Sequence, residues 1–119
     1  MMEQLQAERC VACRPDSPRL SEHEIEELGK QFPDWRVVDM EQTPKLVREF
    51  RFQDFAEALR FTNAVGTIAQ EEGHHPRLTT QWGRVMVSWW THVIKGLHRN
   101  DFIMAAKTDA IYARWKSGV

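Results

Sequence analysis

Apolar residues recur at every second position in two separate stretches of this chain, each flanked by segments where they recur every third or fourth. A period of two sends successive side chains to opposite faces of a strand, while a period near 3.6 lines one face of a helix. The alternation therefore dictates element type along most of the chain. Ser21 opens the first helical segment, with Glu24 completing a capping box and Ile25, Leu28 and Phe32 as its stripe; Pro33 ends it. Residues 35–40 and 46–52 read as strands joined by a turn over 41–44, with Phe50 and Phe52 sharing one face. Asp54 caps a helix that runs to about Glu72, and Gly73 is suited to the left-handed residue that closes it. Phe55, Ala58, Leu59, Thr62, Val65 and Ala69 form its stripe, and Phe55, Phe61 and Phe102 are predicted core residues. Residues 78–82 and 85–92 are strands around a Gly83-Arg84 turn of type II′. A last helix starts between 98 and 101 and carries Phe102, Ile103, Ala106, Ala110 and Ala113.

Helix, hairpin, helix, hairpin, helix predicts an α+β fold. It has two layers, a four-stranded antiparallel sheet with three helices packed on one face. Residues 1–20 are polar, contain Pro15 and Pro18, show no periodicity and read as a flexible arm; residues 21–119 form a single domain. The open sheet face and edges need cover, which predicts oligomerisation.

Sixteen Lys and Arg against seventeen Asp and Glu give a net charge of −1, which argues against nucleic-acid binding. No apolar run approaches the roughly 20 residues of a membrane span. The N-terminus lacks the basic region and apolar core of a signal peptide. Two cysteines are too few for a disulfide scaffold, so the expected location is the reducing cytoplasm.

Five His and five Trp in 119 residues concentrate the chemistry. His74 and His75 follow a helix C-terminus, and Pro76 holds His75 in an extended conformation that turns the two rings to opposite sides. Imidazole titrates near neutrality and both gives and takes protons. His92 is expected at the end of a strand on one face with Ser88 and Trp90, while Asp101, at the next helix start, either orients His92 or caps the helix. Three imidazoles among tryptophans suit a shallow, aromatic-walled site for a flat, nitrogen-rich ring.

Phe50-Arg51-Phe52-Gln53-Asp54-Phe55, His74-His75-Pro76, Ser88-Trp89-Trp90-Thr91-His92 and Gly96-Leu97 with Asp101 together resemble the pterin-4a-carbinolamine dehydratases. The resemblance runs from Trp35 through the last helix. It implies a sheet-and-helix fold assembled into dimers or tetramers. It also implies a hydro-lyase activity, the dehydration of 4a-hydroxytetrahydropterin to quinonoid dihydropterin, which recycles the pterin of an aromatic amino acid hydroxylase. In that reading His74 and His92 are the acid/base pair and His75 binds the pterin. Asp101 is a supporting carboxylate and Trp35 an aromatic wall. Trp90 and Ser88 join as substrate-binding and supporting residues by sharing the face of His92. The pterin is the substrate, so neither cofactor nor metal is expected. The chain departs from the family pattern at Gln70, where an acidic residue is usual, and at His98, where Ser or Thr usually opens the last helix.

Two other readings stay open at this level. Cys10-Val11-Ala12-Cys13 has the spacing of half a zinc site, which His74 or His75 could complete if the arm folded back. The family resemblance also extends to non-catalytic dimerisation partners of transcription factors, which would make the chain a co-regulator module.

Overall fold

The computed structural model describes residues 2–116. Strands β1 (Arg36–Met40), β2 (Thr43–Arg51), β3 (Arg77–Gln81) and β4 (Arg84–Trp89) make one antiparallel sheet in the order β1-β2-β4-β3. Helices α3 (Phe55–Glu72) and α4 (Arg99–Lys116) lie across one face of it, giving the predicted two-layer α+β architecture. Helix α2 (Glu22–Gly29) flanks this layer and lends Ile25 and Leu28 to the edge of the core.

The local signals act where they stand. The Ser21 hydroxyl accepts from the Glu24 N–H at 3.1 Å and the Glu24 carboxylate accepts from the Ser21 N–H at 2.8 Å, a complete capping box. The Asp54 carboxylate caps α3 through the Glu57 N–H. Gly73, at φ 66, closes α3 in the left-handed conformation. Phe50, Val85, Val87 and Trp89 from the sheet meet Phe61, Val65, Ala69 and Phe102 from the helices, all at most 1% exposed.

The hairpin turns differ from expectation. The first is a two-residue turn at Glu41 and Gln42, both at positive φ (55 and 63), so β2 begins at Thr43. Positive φ at both central residues is the type I′ pattern, whose twist matches a tight hairpin. The second turn is Trp82-Gly83, since Gln81 pairs with Arg84. Only Gly83 has positive φ there (73), which is the sign pattern of type II. Strand β4 ends at Trp89 rather than His92. Thr91 instead pairs with Gly96 as an isolated bridge, closing a tight loop whose His92–Ile94 segment is a single 3₁₀ turn.

Phe61 and Phe102 are core residues as predicted, but Phe55 is 45% exposed. The buried stripe of α3 is Ala58, Phe61, Val65 and Ala69, and Phe55 and Leu59 fall to one side of it.

The arm is the largest difference. Residues Met2–Ala7 form a helix, α1, that packs on α4, and Leu5 is 2% exposed. The Glu8 carboxylate pairs with Arg99 at 2.6 Å, which holds its pKa down, and Leu20 N–H donates to Leu97 O. One buried leucine and a set of polar pins dock a segment too polar to show a period. Covered by α1 on its far side, α4 buries the consecutive run Phe102, Ile103, Met104, Ala105 and Ala106. Among the described residues, no helix is long and apolar enough to cross a membrane.

Candidate active site

The site is built from the end of α3, the loop after β4, the start of α4 and the segment between α1 and α2. Gly73 and His74 close α3 together: the Gly73 N–H turns back to Gln70 O and the His74 N–H to Ala69 O, a Schellman motif. The His74 backbone is thereby fixed by the helix end itself. The residue is 8% exposed, and its ring lies parallel to the Trp89 indole (interplanar angle 7°, centroids 5.9 Å apart) and places Nε2 2.6 Å from Asp101 Oδ1.

Asp101 is fully buried, with partners on both oxygens. Besides His74, its Oδ2 accepts from the Thr91 hydroxyl and the His98 N–H, each at 2.9 Å. An ionised carboxylate only accepts, so the shared proton belongs on His74 Nε2 and the lone pair is left on Nδ1. Asp101 thus both caps α4 and orients an imidazole; the imidazole is that of His74, not His92. His98 takes the place of Ser or Thr at the cap, its Nδ1 accepting from the Asn100 N–H at 3.0 Å. Burial lowers the His98 pKa and nearby His74 adds to this, while Asp101 opposes it. Only the neutral ring has the lone pair this cap uses.

His75 is exposed, with Nε2 3.0 Å from Gln70 Oε1. Gln70, where a carboxylate was the usual expectation, orients this ring as a neutral acceptor. His92 is exposed on its 3₁₀ turn and leans on Trp90 with centroids 4.5 Å apart. Trp90 in turn lies under the Lys45 ammonium, 4.0 Å from its centroid.

His74, His75 and His92 line one open cleft of about 390 Å³, together with Gly73, Thr91 and Val93. The structure therefore brings together all three histidines, with Asp101 behind His74. Trp90 supports His92 from behind without lining the cleft. Ser88 is buried in β4 and does not line it either. Trp35 is placed elsewhere: it is 6% exposed, meets Phe50 edge-on, and its indole N–H donates to the Asp109 carboxylate at 2.9 Å. Asp109 also pairs with Arg48 at 2.8 Å; burial raises its pKa while Trp35 and Arg48 lower it. Trp35 thus completes a buried polar contact between sheet and α4.

Cys10, Val11, Ala12, Cys13 and Glu72 also line the cleft, and sequence reasoning missed their part in it as a wall. The pins that hold them, Glu72 and Asn100, lie 62 and 89 residues from their partners, so no local signal could have found them. The arm does fold back onto the histidines, as a zinc site would require. Burial and the Glu72 carboxylate nevertheless push the Cys10 thiol up to about 12, and burial raises Cys13. Among the described residues, no group of three His, Cys, Asp or Glu side chains is arranged to hold a metal ion.

Residues 18–111 match the family model for pterin 4 alpha carbinolamine dehydratase. The chain is 62% identical over 110 residues to a Gloeobacter violaceus protein assigned by name to the pterin-4-alpha-carbinolamine dehydratases, covering 92% of this chain and 95% of that one. A similarly named protein of Nitrosococcus oceani is 56% identical, covering 92% and 97%. Among solved structures, a transcriptional coactivator/pterin dehydratase from Brucella melitensis superposes with a TM-score of 0.73 at 32% identity, covering 80% of this chain and 99% of that one. A pterin dehydratase-like RuBisCO assembly factor of the alpha-carboxysome shares the fold, with a TM-score of 0.57 at 24% identity, covering 66% and 89%.

Proposed function

This chain belongs to the pterin-4a-carbinolamine dehydratase family, and from that premise we propose that it dehydrates 4a-hydroxytetrahydropterins to quinonoid dihydropterins by histidine general acid/base catalysis. The observation that carries the reading is the convergence of His74, His75 and His92 on one cleft, with His74 backed by a buried carboxylate.

The reaction breaks the C4a–O bond and removes the N5 proton. The N5 lone pair forms the C4a=N5 bond, and the leaving hydroxyl takes up a proton and departs as water. The nitrogen push makes the bond cleavage easy, so the enzyme need only supply one group that gives a proton and one that takes it. His74 suits one of these roles, because Asp101 holds its Nε2 proton and leaves Nδ1 to exchange protons with the cleft. His92 suits the other, since it is exposed to the cleft and supported by Trp90. His75, turned by Gln70, supplies a hydrogen bond to an edge of the ring. Proton transfer of this kind contributes about 10²–10⁴-fold, a scale that fits an intrinsically easy dehydration. The product would return to the pterin cycle of an aromatic amino acid hydroxylase in the cytoplasm. The open sheet edges at β1 and β3 support assembly into a dimer or tetramer.

Stopped-flow dehydration of a freshly generated carbinolamine tests the proposal. Purified protein should accelerate it, and His74→Ala with His92→Ala should return it to the spontaneous rate. A double variant as fast as the wild type would sink the assignment.

A further inference from the structure

One side of the cleft is made by a segment that the family match, beginning at residue 18, does not include. Cys10 to Cys13 run along the histidines and are held in place by two side chains from distant elements. The Glu72 carboxylate, only 8% exposed, accepts from the Cys10 N–H at 2.8 Å and pairs with the Arg9 guanidinium at 2.8 Å. The Asn100 amide, 1% exposed, accepts from the Val11 N–H at 3.1 Å. It also donates to Val11 O at 2.8 Å and to Cys13 Sγ at 3.2 Å. One buried amide therefore holds both backbone groups of Val11, and the segment cannot rotate without breaking the pair.

This leaves the Val11 side chain 61% exposed on the wall of the cleft. Val93, on the loop that carries His92, lines the same cleft and is 51% exposed. Two open β-branched side chains, one of them on a backbone held by buried hydrogen bonds, thus stand in one cleft with three histidines, the mix of apolar surface and few polar groups that a small-molecule site uses. A planar bicyclic heterocycle has that demand: its edges hydrogen-bond and its faces are apolar.

We infer that the Cys10–Cys13 segment is a substrate-recognition wall, with Val11 the contact that determines affinity for a flat heterocycle and Asn100 and Glu72 the residues that position it. The inference rests on the dehydratase reading of the same site. It assigns the wall to recognition and leaves the chemistry to the histidines, so it makes a different kinetic demand from that reading. Val11 is exposed, and replacing it does not disturb the core.

The test compares wild type with Val11→Asp, matched for melting temperature. It measures the Kd of 7,8-dihydropterin by fluorescence quenching, and kcat and KM for carbinolamine dehydration. The expected result is that Val11→Asp raises Kd and KM about tenfold with kcat within about twofold, the scale on which one altered pocket contact changes recognition. In parallel, saturating 7,8-dihydropterin should slow alkylation of Cys13 on the wild-type wall. Unchanged Kd and KM in Val11→Asp would overturn the inference while a working wild type leaves the dehydratase reading standing. A fall in kcat with KM unchanged would overturn it too, because the wall would then serve the histidines and not the ligand. A wild-type protein that neither binds nor dehydrates a pterin would overturn both.

Discussion

His74 and Asp101 are 27 residues apart in sequence and 2.6 Å apart in space, and the second oxygen of that carboxylate holds Thr91 and the start of α4. The same buried anion therefore orients the imidazole and caps the helix. Asp101→Asn keeps the shape but removes the charge and half of the acceptor capacity. The dehydration rate should fall about 10- to 100-fold, the usual cost of losing a carboxylate behind a functional histidine. Chemical denaturation should show a stability loss of about 1–3 kcal/mol from the unpaired donors. A variant with wild-type rate would separate the capping role from the catalytic one.

His98 makes the cap of α4 sensitive to acid. Its folded-state pKa is lowered from 6.5, chiefly by burial, so the unfolded chain binds the proton more readily than the folded one. Stability from this group is present above pH 6.5 and is lost as pH falls toward and through the lower folded value. Protonation also removes the lone pair that accepts from Asn100. Melting temperatures recorded from pH 8 down to pH 5 should decline more steeply for the wild type than for His98→Ser, which caps without titrating in this range.

Docking of the N-terminal segment depends on Leu5. Its removal should expose a gap between α1 and α4, so Leu5→Ala should cost about 2–5 kcal/mol in urea unfolding. A loss under about 0.5 kcal/mol would show that α1 is not part of the cooperative unit.

The two thiols should be sluggish. Thiolate is the reactive species, and at pH 8 a thiol with a pKa of about 12 carries on the order of 10³-fold less of it than one at the ordinary 9.0. Timed labelling with a disulfide reagent, read by mass spectrometry, should find Cys10 the slower of the pair and both slower than free cysteine. Rapid labelling of Cys10 would contradict its burial.

Much of the site was legible because its signals are local. The Gly73-His74-His75-Pro76 run announces a helix end with paired imidazoles, and the family motifs tie His92 and Asp101 to it. What each carboxylate does was not legible. Asp101 reads equally well as a cap or as a partner for His92, and only the packing of α4 against the end of α3 makes it the partner of His74. Trp35 matches an aromatic wall in the family resemblance, and nothing near it in sequence reveals Asp109, 74 residues on, as the acceptor that draws it inward.

Taken alone, the sequence determined the types of the four strands and of α2, α3 and α4, the caps of α2 and α3 and the two-layer fold class. Each of these follows from side chains within a few positions of one another, where periodicity, capping geometry and glycine conformation act directly. The tertiary structure decided what depends on convergence. It ended β4 at Trp89 by pairing Thr91 with Gly96, and it settled the second turn on Trp82-Gly83 through strand register. It also brought a polar N-terminal segment with one buried leucine onto the cleft as a wall. Such placements come from a few hydrogen bonds and contacts between distant residues, and no period in the chain records them.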